Sequence, residues 1–414
     1  MLLYLCFDLL FCMALSTLQA PPQWRWRTTF VMALACAVVG VGNIWRFSYL
    51  AGNYGGGWFV LTYFACLLGI VAPILVAELA LGSHGRGSPV QSFGRAARTS
   101  SCSRLWRLLG LLAVVSGVLV AVYCIVVASW GLAYIPKLSH GEFAAMSVVE
   151  VARRFELLLA APGELMYWYC FMLIAVLGVL AMGVRRGIGL LAWILVPMLL
   201  VGLWVLAQYS LRHGELGRSV LAVAVFDTVV ALLAGVAIYP LLFAHNLEPV
   251  QGPSLAFVAL PFAFGNTPGG DVYGAFFYWV FVIAALGTAV ALLEPAVFTV
   301  RRAFSVARVW AVLMVGTVVV CLGFAAVLSL NLWQTRRPFS GRQFFAYLEY
   351  VSADVLIPVC ALLVTLFVGW RMRRETMRIE LYRESRLFFS LWMVQLRYIV
   401  PLVIVLLFWL TEMK

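Results

Sequence analysis

Apolar windows of about twenty residues, the length that crosses a bilayer core, recur along this chain from end to end. They lie near 28–50, 57–81, 105–134, 164–184, 187–210, 219–243, 272–298, 306–333, 344–369 and 387–410. Backbone polar groups in lipid must be satisfied internally, so windows of this kind are read as helices. The 414 residues are 64% hydrophobic and 11% charged, where a soluble domain carries roughly a quarter charged residues. The expected fold class is an all-α polytopic membrane protein. One transmembrane domain over 22–414 suffices, preceded by an apolar segment, 1–21, that carries Asp8 and no basic start. That segment resembles neither a signal peptide nor a good span.

The net charge of +12 is not spread over a surface. Arg86, Arg95, Arg98, Arg104 and Arg107 fall in one gap between windows, Arg185 and Arg186 in another, Arg301, Arg302 and Arg308 in a third, and a run from Arg371 to Arg386 in a fourth. Basic loops of this kind stay on the cytoplasmic side, which predicts a multi-pass protein of the cell (inner or plasma) membrane rather than a nucleic-acid binder. The nine cysteines lie mostly within apolar windows without a CxxC pair, and the four histidines are scattered, so neither set reads as a metal site. No phosphate loop or nucleophile elbow is present, which argues against an ATP-driven pump or an enzyme.

Arg46, Glu78, Asp227, Glu294, Glu349 and Asp354 fall inside or at the rims of the windows. Each costs about 2.5–3.5 kcal/mol at mid-membrane on the insertion scale, so such residues face a bundle interior or a watery path. Buried polar glue between helices and a transport pathway both answer to that description. The stretch 40-GVGNIWRFSYLAGNYGGG-57 narrows the choice. A glycine-rich break at membrane depth frees carbonyls for a cation, and the half-helix start can hold an anion. With Asn43 and Arg46 beside it, an unwound turn over Val39–Asn43 predicts a site for a small zwitterion next to a metal cation.

The run from Trp24 to Gly94 resembles the first two helices of the neurotransmitter:sodium symporter family, whose hallmark is a GLGNIWRFPY-x-ENGGG-type stretch. The segments 227-DTVVALLAGVAIYP-240, 260-LPFAFGNTPGG-270, 285-ALGTAVALLEP-295, 328-LSLNLW-333 and 349-EYVSADVLIP-358 follow in the family's order, and the resemblance covers roughly residues 22 to 410. It implies the leucine-transporter-type inverted-repeat bundle of about ten transmembrane helices with a broken first helix. It further implies sodium-driven symport of amino acids or related amines, with no cofactor beyond the coupling ion, and it is compatible with a homodimer in the bilayer.

The resemblance also carries site roles. A first sodium site takes the Val38 carbonyl, the Asn43 side chain and Asp227, which stands where the family has an asparagine. Its carboxylate supplies the charge that chloride balances in many animal relatives, so chloride independence is expected. A second sodium site takes carbonyls of Cys36, Val39 and Ala284 and the Thr288 hydroxyl; Gly287 replaces a family threonine and removes one ligand. Backbone amides near Val41 and Gly42, with Asn43, receive the substrate carboxylate. Tyr123 and Cys124 border it, the cysteine standing at a family tyrosine. Arg46 and Glu349 match the outer gate. At the inner gate, Pro21 and Arg302 stand where an arginine and an aspartate are expected, so that pair is absent.

One departure is larger. After 187–210 the chain runs straight into 211-LRHGELGRSVLAVAVFD-227, which resembles the approach to the seventh helix. The sixth helix, the second broken one, reads as deleted, and Glu78 would lose the backbone it meets there. The charges make this acute. Arg185–Arg186 and Arg212–Arg218 both read as inside with one window between them. Either 187–210 turns back near Pro197, or it inserts imperfectly, or the downstream topology inverts; the family topology downstream is preferred. The alternative function is a degenerate, non-transporting relative that binds a ligand or a partner protein.

Overall fold

The computed structural model describes residues 41–183, 216–247, 253–335 and 341–412, and within these the regular elements are helices. They are α1 (Val41–Asn53), α2 (Gly57–Gly85), α3 (Pro89–Thr99), α4 (Arg107–Ser139), α5 (Val148–Ala160), α6 (Pro162–Met182), α7 (Leu216–Ala244), α8 (Leu255–Gly265), α9 (Gly270–Phe304), α10 (Arg308–Leu330), α11 (Phe344–Arg371), α12 (Arg374–Glu380) and α13 (Arg386–Trp409). Eight helices among the described residues are long and apolar enough to span a bilayer. They coincide with eight of the ten windows. Of the other two, 28–50 is described only from Val41 and 187–210 lies outside the described residues, as do segment 1–21, Pro21 and the question of how 187–215 crosses.

Helices α4 and α9 form the centre of the bundle because their facing residues are small. A methyl group added at Gly117 would meet the Leu292 carbonyl oxygen at 3.2 Å, and one at Gly131 would meet the Phe281 ring at 2.7 Å. Such close backbones are what small residues provide in place of a hydrophobic driving force between membrane helices. Toward one end the gap widens and aromatic rings fill it. Trp130 and Tyr134 pack edge-on against Phe257, while Phe155 stacks on Phe257 at 5.3 Å. The buried phenols find acceptors: Tyr134 donates to the Phe257 carbonyl at 2.9 Å, Tyr278 to the Ala256 carbonyl, and Tyr169 to the Val319 carbonyl at 2.9 Å.

Proline and π-helical turns interrupt three spans. In α2 the π turn Leu67–Val71 precedes Pro73, in α11 the π turn Tyr350–Leu356 precedes Pro358, and in α13 the π turn Gln395–Ile399 precedes Pro401. In each case the turn absorbs the amide that proline lacks. At the opposite end from the aromatic plug, Arg86 takes a left-handed φ of 42° to close α2, and Ser88 with Gln91 forms a capping box that starts α3 at Pro89. Helix α12 docks beside this junction, with Met377 and Leu381 buried.

Candidate functional site

Helix α1 packs against α7 and α9. Phe47 and Ala51 are its buried contacts, and the Phe47 ring stands edge-on to Phe59 at 5.3 Å and to Tyr63 at 5.1 Å. The expected unwinding spanned Val39–Asn43. The structure corrects this for the second half of that stretch: Val41, Gly42 and Asn43 are helical and continuous with the rest of α1, while Val39 and Gly40 lie outside the described residues. Gly42 is helical and buried. Cys36, Val38 and Val39 lie outside the described residues. So do the side chains of Val41, Asn43 and Arg46, and with them the Arg46–Glu349 gate.

Asp227 on α7 is 3% exposed. The Tyr63 phenol of α2 donates to its Oδ2 at 3.1 Å. This one hydrogen bond links the second span to the acid on α7. The next residue, Thr228, spends its hydroxyl on the Ala224 carbonyl at 2.9 Å. On the most buried stretch of α9, the Thr288 hydroxyl lies 3.2 Å from the Ala284 carbonyl, both residues being 1% exposed. Gly287 beside them is buried and carries no hydroxyl. A hydroxyl and a carbonyl one turn apart at this depth are oxygen donors of the type that hard cations take.

Farther along, Tyr123 of α4 stacks on Phe345 of α11 at 5.4 Å, and Cys124 is buried next to it. Glu349 sits one turn beyond Phe345 where α11 enters its π turn, and Asp354 lies inside that turn; both are half-buried. Glu78 is buried on α2 at 2% exposure. Arg302 is exposed over the Phe298 ring.

Two functional-looking partners escape a reading of the sequence. Tyr63 gives no signal within an apolar window. Arg308 reads there as one more basic loop residue, yet it holds the buried Glu294 with both terminal nitrogens, at 2.8 and 2.5 Å, and donates its Nε to the Leu180 carbonyl at 2.9 Å. The signal for this pair is the coincidence of an acid ten residues before the end of one span with an arginine at the first position of the next.

An all-helical membrane bundle with buried oxygen donors on its central helices is the architecture of a secondary transporter. The family model of the sodium:neurotransmitter symporter family matches residues 21–144 and 196–414, and the chain belongs to that family. Its structure is similar to the crystal structure of MhsT in complex with L-phenylalanine, with a TM-score of 0.82 and 29% identity over 93% of this chain and 98% of that one. The leucine-transporter-type fold follows. The chain is 28% identical to the uncharacterized sodium-dependent transporter YhdH of Bacillus subtilis over 94% of this chain and 97% of that protein. It is 25% identical to an uncharacterized sodium-dependent transporter of Haemophilus influenzae over 93% and 97%. A shorter match, 34% over 118 residues and 28% of this chain, is to the human sodium- and chloride-dependent taurine transporter. The Bacillus alignment runs over 447 residues, more than the whole 414-residue chain, so the relative carries residues within the aligned stretch that have no counterpart here.

Proposed function

We propose that this chain couples sodium entry to the uptake of a small amino acid or a related amine, without an enzymatic step. The observation that carries the proposal is the buried set of oxygens on α7 and α9: the Asp227 carboxylate, the Ala284 carbonyl and the Thr288 hydroxyl, on the two helices that α1 packs against. Oxygen donors without nitrogen or sulfur suit a hard cation such as sodium. Ala284 and Thr288, joined by Cys36 and Val39, would form one sodium site; Asp227, joined by Asn43 and the Val38 carbonyl, the other. The Val41 and Gly42 amides would take the substrate carboxylate, Tyr123 and Cys124 would border the side chain, and Arg46 with Glu349 would close the outer side. The Asp227 charge makes chloride dispensable. The basic loops stay inside the cell membrane, and two copies can associate within the bilayer.

A second reading, a relative that binds but does not transport, is favoured by one observation, the residues that the Bacillus relative carries and this chain lacks. A neutral amino-acid panel in proteoliposomes separates the two. Sodium-driven accumulation that weakens in Thr288→Ala supports the transporter. Sodium-dependent binding without accumulation supports the second reading. Neither binding nor accumulation removes both.

A further inference from the structure

The loop and short helix between α2 and α4 meet the connection between α11 and α13. The Arg373 amide donates to the Ser100 hydroxyl and its guanidinium to the Ser101 hydroxyl, each at 3.3 Å, and the Cys102 thiol reaches the Arg371 carbonyl at 3.3 Å. Beneath them Trp106 packs on Phe367 with centroids 4.9 Å apart. Two segments almost three hundred residues apart in the chain thereby present one surface.

That surface is one-sided in charge. Residues 86–107 and 371–386 hold eleven arginines and three glutamates. Of the three acids, Glu384 is buried and Glu380 is engaged by His84 and Ser83, which leaves Glu375 exposed. Arg98, Arg104 and Arg107 on the first segment and Arg373, Arg374 and Arg386 on the second are exposed, and none of the six forms an ion pair among the described residues. Next to arginines in the chain stand exposed apolar side chains: Leu105 after Arg104 and Leu387 after Arg386 are each 71% exposed, and Ile379 after Arg378 is 69% exposed. Uncompensated guanidinium groups interleaved with exposed aliphatic chains, at the ends of membrane spans, match a partner that offers anionic phosphate and acyl chain together.

We propose that these joined loops bind the headgroups of anionic phospholipids, with the aliphatic residues entering the acyl boundary and the arginines taking the phosphates. Bound lipid bridges the α2–α4 and α11–α13 connections and adds to the hydrogen bonds and ring packing that already join them. A soluble anion cannot replace it, because it lacks the acyl part that Leu105 and Leu387 meet.

The test uses the full chain in phosphatidylcholine nanodiscs and in nanodiscs of equal parts phosphatidylcholine and phosphatidylglycerol. Thermal unfolding and lipid retention in native mass spectrometry are both read. The expected result is a higher unfolding midpoint and retained phosphatidylglycerol in the mixed discs. Each arginine removed, in Arg98→Gln and in Arg98→Gln with Arg104→Gln, should weaken retention about fivefold. Arg153→Gln, an exposed arginine on α5 outside these loops, should leave retention unchanged. If a loop variant fails to fold, salt titration of the unmodified protein replaces it, since added salt should release the lipid. Equal midpoints in both discs, equal retention in all variants, salt-insensitive retention, or full replacement of the lipid by inorganic phosphate would each overturn the proposal.

Discussion

The Tyr63 phenol donates to the Asp227 carboxylate at 3.1 Å, and both residues are buried between α2, α7 and α1. A bond to a buried charge is worth about 1.5–3 kcal/mol, so Tyr63→Phe should lower the unfolding midpoint measurably while Asp227→Asn, which keeps an acceptor, should lower it less. The two changes should diverge in function. Replacing chloride by gluconate should leave sodium-dependent uptake unchanged in the unmodified chain and in Tyr63→Phe. Asp227→Asn, having lost a fixed negative charge, should show reduced uptake at the same sodium concentration. Chloride dependence of the unmodified chain would contradict the role given to Asp227.

Breaking the Glu294–Arg308 pair should be costly in an asymmetric way. Removing one partner, as in Arg308→Met, strands a carboxylate that is 3% exposed and should destabilise by about 3–5 kcal/mol. Removing both, in Arg308→Met with Glu294→Leu, should recover much of that loss. Unfolding midpoints of the two single variants and the double variant close the cycle. A double variant as unstable as the sum of the singles would show that the ion pair is not what holds these helix ends.

Helix packing gives a sharper contrast between two glycines. A methyl group at Gly110 would lie 2.6 Å from the main chain of Pro89 and Val90, which cannot move aside without shifting α3. Gly110→Ala should therefore cost about 1–3 kcal/mol. Gly178 on α6 has nothing within 4 Å of the same point, and Gly178→Ala should be neutral or stabilising by up to about 1 kcal/mol. Thermal unfolding in one detergent suffices to rank them.

The docking of α12 should depend on pH through Glu380. Hydrogen bonding from His84 and from Ser83 holds its carboxyl below the ordinary 4.5, against an opposing effect of partial burial, with Arg86 also nearby. A depressed value means the contribution is complete above 4.5 and is lost as pH falls through the folded value. Amide exchange across 374–380 should accelerate in that acid range, and Glu380→Gln should flatten the response. An exchange profile that changes only above neutrality would contradict this assignment.

The spans are legible because a bilayer imposes a length, and eight of the ten windows meet it among the described residues. The acids Asp227, Glu294 and Glu78 stand out for the same reason, since a charge inside a long apolar run is conspicuous. What they touch is not legible. Tyr63 lies 164 residues from Asp227, and nothing local in an apolar window marks one tyrosine from another. Gly42 shows a different limit. Glycine in a membrane helix answers equally to an unwound turn and to a close approach of neighbours, and here the residue is helical and buried. Arg308 fails for a third reason: its position at a span start obeys the loop-charge rule, so only the acid near the end of the preceding span hints at its inward reach.

Arg308 touches three helices at one point, its own α10, the Glu294 side chain of α9 and the last turn of α6 at Leu180. Those three ends are riveted, and a rivet permits no sliding between the plates it joins. Any displacement of α6, α9 or α10 against one another at this end has to break a bond that holds a buried carboxylate, so motion among these three ends carries a penalty that motion elsewhere in the bundle does not.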